Sequence, residues 1–153
     1  MKTYGDELPG VRIVHRAQHV DNRGYFSETW KMTDDGMRGT YRQLNTAVST
    51  QYVVRGMHRQ DQYKLVMPAY GRIFDVAVEP KTGKWFGVEL DSTLGLLIPP
   101  QYAHGYMALT DNAIVQYIVD MPYNKEIEEN FKWNGYTIQW PNAIEPILSE
   151  KDK

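Results

Sequence analysis

A chain of 153 residues with a formal charge of −2 and no cysteine is sized for a single domain, residues 1–153, that buries roughly 70% of its unfolded surface. The charge balance argues against nucleic acid as the main partner, which asks for a basic face, and the missing cysteines exclude a disulfide framework and thiolate metal ligands. No run reaches the ~18 apolar residues of a membrane helix and "MKTYGDELPG" has no apolar signal stretch, so the expected compartment is the cytoplasm, with no membrane partner.

In chain order the apolar and β-branched runs are short. "VRIVH" (Val11 to His15) comes first, then "GYFSETW" (Gly24 to Trp30), where aromatic and polar residues alternate. "QLNTAVS", "QYVVRGMH", "YKLVMPA", "RIFDVAVEP", "WFGVEL", "LGLLIPP", "HGYMAL" and "AIVQYIV" follow, each of strand length. Turn signals separate most of them: Tyr70-Gly71, Thr82-Gly83, Pro99-Pro100 and Asp111-Asn112. Short strands at about 8–12-residue spacing predict an all-β fold, an antiparallel sandwich or barrel with the jelly roll among the options. Helix is expected only as single turns, in "KMTDDGM" (Lys31 to Met37) and "NKEIEENF" (Asn124 to Phe131). The final "ILSEKDK" reads as a charged, frayed tail.

Four histidines are present, His15, His19, His58 and His104. His15 and His19 lie on a strand-and-loop segment and read as surface residues. A double-stranded barrel brings His58 and His104 together from distant strands. That pairing invites comparison with a metal-binding cupin, which needs an H-x-H pair, a carboxylate and a third histidine. Here His58-Arg59-Gln60 stands where the pair belongs. One imidazole is missing and Arg59 would repel a cation, so no metal is expected. Arg55, Gln60, Lys64 and Asp75 lie in or beside apolar strands. Charged side chains are rarely buried without a partner, so this set predicts a polar pocket inside the barrel. In "IFDVAV" Phe74, Val76 and Val78 share one face, and Ile73, Asp75 and Ala77 the other. Asp75 reads either as a pocket residue or as a structural acceptor that orients a histidine or arginine.

Taken in order, "DNRGYFSETW", "QLN", "VVRGMHRQ", "KLV", "GRIFDVAVEP", "IPPQYAHGYMAL", Tyr117, "WN" at 133 and "PILSEKD" resemble the dTDP-4-dehydrorhamnose 3,5-epimerases, from about Leu8 to Asp152. The resemblance implies a jelly-roll (cupin-like) barrel with short peripheral helical turns, no metal and no cofactor. It implies a homodimer in which the "GYFSETW" strand crosses to the partner, so that Glu28 serves the neighbour's site. The implied substrate is a nucleotide-linked 4-keto-6-deoxy hexose, dTDP-linked, epimerised at C3 and C5 or at one of them.

The C4 ketone acidifies the neighbouring C–H bonds; a base removes a proton and an acid returns one on the opposite face. His58 matches the family base, and an imidazole pKa of about 6.5 suits that task. Asp152 matches the carboxylate that pairs with it. Lys64 matches the cation beside the C4 oxygen, where enolate charge develops, and Tyr117 the acid on the other side. Arg23 and Arg55 match arginines that meet the diphosphate. Glu28, Gln43, Asn45, His104, Glu128 and Lys151 match other substrate contacts, and Tyr123 the ring that stacks on the base.

On the residues alone, blander readings stand beside these: Tyr117 as a core tyrosine, Arg23 in a loop salt bridge, His58 as a hydrogen-bonded histidine without chemistry. Two other functions also stay open, a 3-only epimerase on a different nucleotide sugar and a sugar-nucleotide-binding cupin without turnover. The latter would need no acid–base pair. "RQDQY" between His58 and Lys64 and "KTGKWFG" after "DVAVEP" are shorter than the family pattern and, by the resemblance, lie at the pocket mouth.

Overall fold

The fold is that of a computed structural model, which describes residues 1–34, 36–141 and 145–153. Its strands are β1 (Thr3–Gly5), β2 (Arg12–His15), β3 (His19–Asp21), β4 (Gly24–Phe26), β5 (Gln43–Ser49), β6 (Val54–Arg59), β7 (Lys64–Tyr70), β8 (Ile73–Val78), β9 (Trp85–Leu90), β10 (Leu94–Ile98), β11 (Ala103–Ala108), β12 (Ala113–Val119) and β13 (Glu129–Asn130). One sheet runs β1-β9-β8-β11-β6-β13 and the other β2-β10-β7-β12-β5, while β3 and β4 form a separate hairpin. All these pairings are antiparallel. This is an all-β antiparallel fold, as the strand spacing predicts, and the jelly roll that the family resemblance implies.

The two sheets share an interior built from alternate residues. Ile73, Ala77, Val88 and Tyr106 of the first sheet meet Val66, Leu96, Ile98 and Val115 of the second. Strand β8 is buried along its whole length. Its other face, Phe74, Val76 and Val78, packs beneath Trp133, Tyr136, Ile138 and Trp140 of the C-terminal segment. Cover on both faces is why "IFDVAV" reads as a continuous apolar run. The outer face of the second sheet, with Leu65, Met67, Leu97 and Ile118, is covered by Val14, Trp30, Met37 and Tyr63. The turn signals hold their positions: Gly71 and Gly83 have φ of 75° and Asn112 of 53°, the left-handed region that these residue types tolerate.

Several expectations change. "NKEIEENF" is not a helical turn; it ends in β13, which pairs with β6. Its acidic and basic residues have helical spacing, but edge pairing with β6 wins over local propensity. The final segment is not frayed. Ile147 bridges Val53, with Val54 N donating to Ile147 O at 3.0 Å and Ile147 N to Tyr52 O at 3.0 Å. A 3-10 turn at Glu150–Asp152 then buries Asp152, which is 8% exposed. The span from Lys31 to Met37 does hold a 3-10 turn, at Met32–Asp34; Asp35 within it lies outside the described residues. Strands β1 and β3 were not expected from the sequence. Among the described residues no helix is long and apolar enough to cross a membrane.

Candidate active site

The site begins with an irregularity in β6. Its register with β11 pairs His58 with His104 and Arg55 with Tyr106, so two residues of β6 face one of β11. In a regular strand, residues three apart point to opposite faces. The extra residue cancels that, as a bulge does, and Arg55 and His58 both line one cavity of ≈ 330 Å³. Val54 and Met57 turn the other way into the outer core. Gly56 makes this possible. Its φ is +127°, and a Cβ there would lie 2.5 Å from Gly105 Cα.

His58 is held on both sides. Its Nδ1 lies 2.6 Å from Asn130 Oδ1 in a hydrogen bond, and 4.0 Å from Glu128 Oε1. Its Nε2 lies 3.0 Å from Asp152 Oδ1. That second contact is not an in-line hydrogen bond and becomes an ion pair only when the ring is protonated, and Asp152 Oδ1 is buried without a hydrogen-bond partner. Burial pushes the His58 pKa below 6.5, against the opposing pull of Asp152 and Asn130. The imidazole is therefore neutral at neutral pH.

His104 makes the second pair. Its Nε2 meets Asp75 Oδ1 at 2.7 Å, with Asp75 fully buried in β8. Asp75 is thus an acceptor that orients a histidine, one of the two readings its position allowed. Tyr117 of β12 reaches the same cavity. Burial raises its pKa above 10, so the phenol keeps its proton. The Lys64 ammonium makes no hydrogen bond or ion pair with any described residue, while its backbone belongs to the ladders of β7 with β10 and β12. Burial lowers its pKa to about 8, although Glu128 and Asp75 act to raise it. Gln43 and Asn45 share the inward face of β5 with Ala47, which lines the cavity, and Gln43 Nε2 donates to Asn45 Oδ1 at 2.9 Å. Arg55 Nε donates to Ser49 Oγ at 3.0 Å.

At the rim, Glu128 accepts from Lys151 Nζ at 2.7 and 2.8 Å and from the Tyr123 hydroxyl at 3.0 Å. Tyr123 itself is 54% exposed. The short link after His58 grips this rim from behind. Gln60 Oε1 accepts from Asn124 N at 3.0 Å, and Gln62 Nε2 donates to Met121 O at 2.7 Å. Gln60 therefore serves the chain next to Tyr123 and does not face the cavity as a metal ligand would. Arg59, expected to face a would-be cation, instead points away and pairs with Glu129.

Lys64, Gln43, Asn45 and Tyr123 stand beside this cavity without lining it, and Arg23 and Glu28 are not brought to it within one chain. Arg23 has an 85% exposed side chain paired with Asp21. Glu28 pairs with Lys31 at 2.8 Å and lines a separate hollow beside Arg16 and Trp30. The physical reason is that hairpin β3–β4, which precedes Glu28, projects from the barrel with every strand residue exposed. Conversely, Tyr106, Ser149 and Asn130 belong to the site and were not singled out from the sequence. Tyr106 was legible, since it follows His104 by two on one strand. Asn130 gave no signal.

Comparison with known proteins matches this arrangement along its whole length. The family model described as dTDP-4-dehydrorhamnose 3,5-epimerase covers residues 6–153. The dTDP-4-dehydrorhamnose 3,5-epimerase of Methanothermobacter thermautotrophicus is 35% identical over 163 residues, 95% of this chain and 88% of its own. The dTDP-6-deoxy-D-glucose-3,5-epimerase of Legionella pneumophila, solved with dTDP-4-keto-L-rhamnose, superposes with a TM-score of 0.87 at 29% identity over 99% of this chain and 89% of that one. A 3'-monoepimerase of Streptomyces bikiniensis, solved with dTDP-quinovose, gives 0.83 at 26% identity over 94% and 81%. A match this long takes in the bulged β6, the strands around the cavity and the tail that carries Asp152, and the chain belongs to the dTDP-4-dehydrorhamnose 3,5-epimerase family.

Proposed function

We propose that the protein epimerises a dTDP-linked 4-keto-6-deoxy hexose through an enolate, in deoxysugar biosynthesis, with His58 as base and Tyr117 as acid. The observation that carries this reading is a neutral imidazole and a protonated phenol lining one cavity. His58 removes the proton beside the ketone, and the Asp152 carboxylate, 3.0 Å from Nε2, stabilises the imidazolium that forms. Lys64 holds its charge below a pKa of about 8 and meets the oxygen on which negative charge grows. Tyr117 returns a proton from the other side. Arg55 holds the diphosphate, Tyr123 stacks on the base, and Gln43, Asn45, His104, Glu128 and Lys151 hold the rest of the substrate.

The same reading includes a homodimer. Arg23 and Glu28 match substrate contacts yet lie outside the cavity of their own chain, on and just after a hairpin that projects from the barrel. A second copy receiving that hairpin completes both sites with the same residues, as a two-fold interface requires. The reading takes the cytoplasm as the compartment of the reaction.

The test is incubation with dTDP-4-keto-6-deoxyglucose in deuterated water, followed by NMR. Deuterium at C3 and C5 is expected. Incorporation at C3 alone would make the protein a 3-epimerase, like the Streptomyces bikiniensis 3'-monoepimerase to which it is also similar. No incorporation would rule out this substrate. His58→Ala should abolish exchange while nucleotide binding persists.

A further inference from the structure

We infer that the Tyr106 hydroxyl is a further substrate contact: it donates its proton into the cavity, to an acceptor oxygen of the bound sugar nucleotide beside Arg55. The inference rests on the function proposed above.

Strand β11 alternates, so His104 and Tyr106 share its inward face while Ala103 and Met107 pack in the outer core. Tyr106 stands opposite Arg55 of β6 and lines the same cavity as Arg55, His58 and Tyr117. The residue is 3% exposed, and a hydroxyl so enclosed needs a partner. Ser49 Oγ is that partner, 3.2 Å away.

The count of protons decides which way this bond runs. Arg55 Nε donates to Ser49 Oγ at 3.0 Å, since a guanidinium has donors and no acceptor. Ser49 is itself buried. Among the described residues its own proton has one acceptor in reach, the Tyr106 oxygen. A buried donor left unpaired keeps its desolvation cost, so Ser49 donates and Tyr106 accepts. The phenol proton is then unspent. Asp75 is opposite Tyr106 on β8, but its Oδ1 bonds His104 and its Oδ2 has no hydrogen-bond partner. Burial, helped by Asp75 and Tyr117, raises the Tyr106 pKa above 10, so the proton is there to give.

The same serine organises the neighbouring cation. Arg55 spends Nε on Ser49 and Nη2 on Val48 O at 3.2 Å, which leaves Nη1 without a partner among the described residues. The free Nη1 and the Tyr106 hydroxyl are two donors tied to one serine. A sugar nucleotide brings two kinds of acceptor to such a pair, diphosphate oxygens and sugar oxygens.

The test is Tyr106→Phe, which removes one oxygen and keeps the ring. KM for dTDP-4-keto-6-deoxyglucose should rise about tenfold with kcat within about twofold, the mark of lost binding and the size of one hydrogen bond. Calorimetry with dTDP alone tells the acceptors apart. A Kd raised by the same factor supports a contact to the diphosphate, and an unchanged Kd beside a raised KM supports one to the sugar. Unchanged KM and Kd would overturn the inference, as would a fall in kcat at constant KM. Ser49→Ala separates contact from support. Tyr106→Phe should still raise KM in that background; if Ser49→Ala alone raises KM as much and the double variant no further, the phenol acts only through Arg55 and the contact is overturned. Absence of exchange by the wild type would take down the proposed function and this contact with it. If the wild type turns over and Tyr106→Phe matches it in KM and Kd, this contact alone fails.

Discussion

Two histidine–aspartate pairs face each other across β6 and β11, and they are built differently. His104 and Asp75 sit on two central strands, 2.7 Å apart in a true hydrogen bond, and Asp75 is fully buried. His58 and Asp152 bring a bulged strand against a tail held by a single bridge and one 3-10 turn. Their contact is 3.0 Å and out of line for a hydrogen bond. The first pair is a hydrogen bond already made, and the unpartnered oxygen of Asp75 is Oδ2, not the one that meets His104, so it suits a fixed wall of the site. In the second the oxygen that meets the ring, Asp152 Oδ1, is itself without a hydrogen bond, so it suits a pair through which a proton comes and goes. Location in the core makes a pair rigid, and location at the edge leaves it free to change protonation.

The comparison can be broken at several points. Asp152→Asn removes the counter-charge without changing shape; kcat should fall about 10²-fold, in the range for lost acid–base assistance, while Tm stays near wild type. Unchanged turnover would remove Asp152 from the chemistry. Asp75→Ala should do the reverse. It leaves His104 without its partner in the core and should cost about 1–3 kcal/mol in denaturant unfolding, with a smaller loss of kcat than Asp152→Asn.

The pH profile of kcat/KM sharpens the contrast, because it reports groups of the free enzyme. The base must be neutral, so activity should rise with pH through a limb below 6.5, where burial places His58. The Lys64 charge is needed, so activity should fall as pH passes about 8. A single flat profile from pH 5 to 9 would contradict both assignments. The smallest effect is expected next door. Arg59→Ala breaks a surface pair with Glu129 and should change stability by no more than about 1 kcal/mol, with kcat preserved.

What the sequence made legible follows from where each signal lives. Alternation and turn residues located β5, β9 and β12 to the residue, because packing on two sheets imposes that pattern locally. The polar residues at Arg55, Lys64 and Asp75 stood out because apolar neighbours surround them. The bulge left one mark on its strand, Gly56 inside "VVRGMH", but which residues the one-residue shift between β6 and β11 turns to the cavity depends on both strands together. The place of Asn130 beside His58 was hidden for the same reason. "NKEIEENF" has charges at helical spacing, and only the neighbouring edge of β6 makes its end a strand. The tail misled through its charges, while its anchoring comes from backbone bonds to Tyr52 and Val54 that any sequence could make.

The projecting hairpin has a consequence for how the protein would behave in a mixture. On the reading that it serves a neighbour, His58 and Arg23 of one chain work in different sites. A chain carrying His58→Ala and a chain carrying Arg23→Ala are then each inactive alone. Mixed and allowed to exchange subunits, they form hybrid pairs with one intact site, and about a quarter of all sites should recover under random two-fold assembly. Activity would rise with the time allowed for exchange and fall on dilution, so that the catalytic unit is the pair and not the chain.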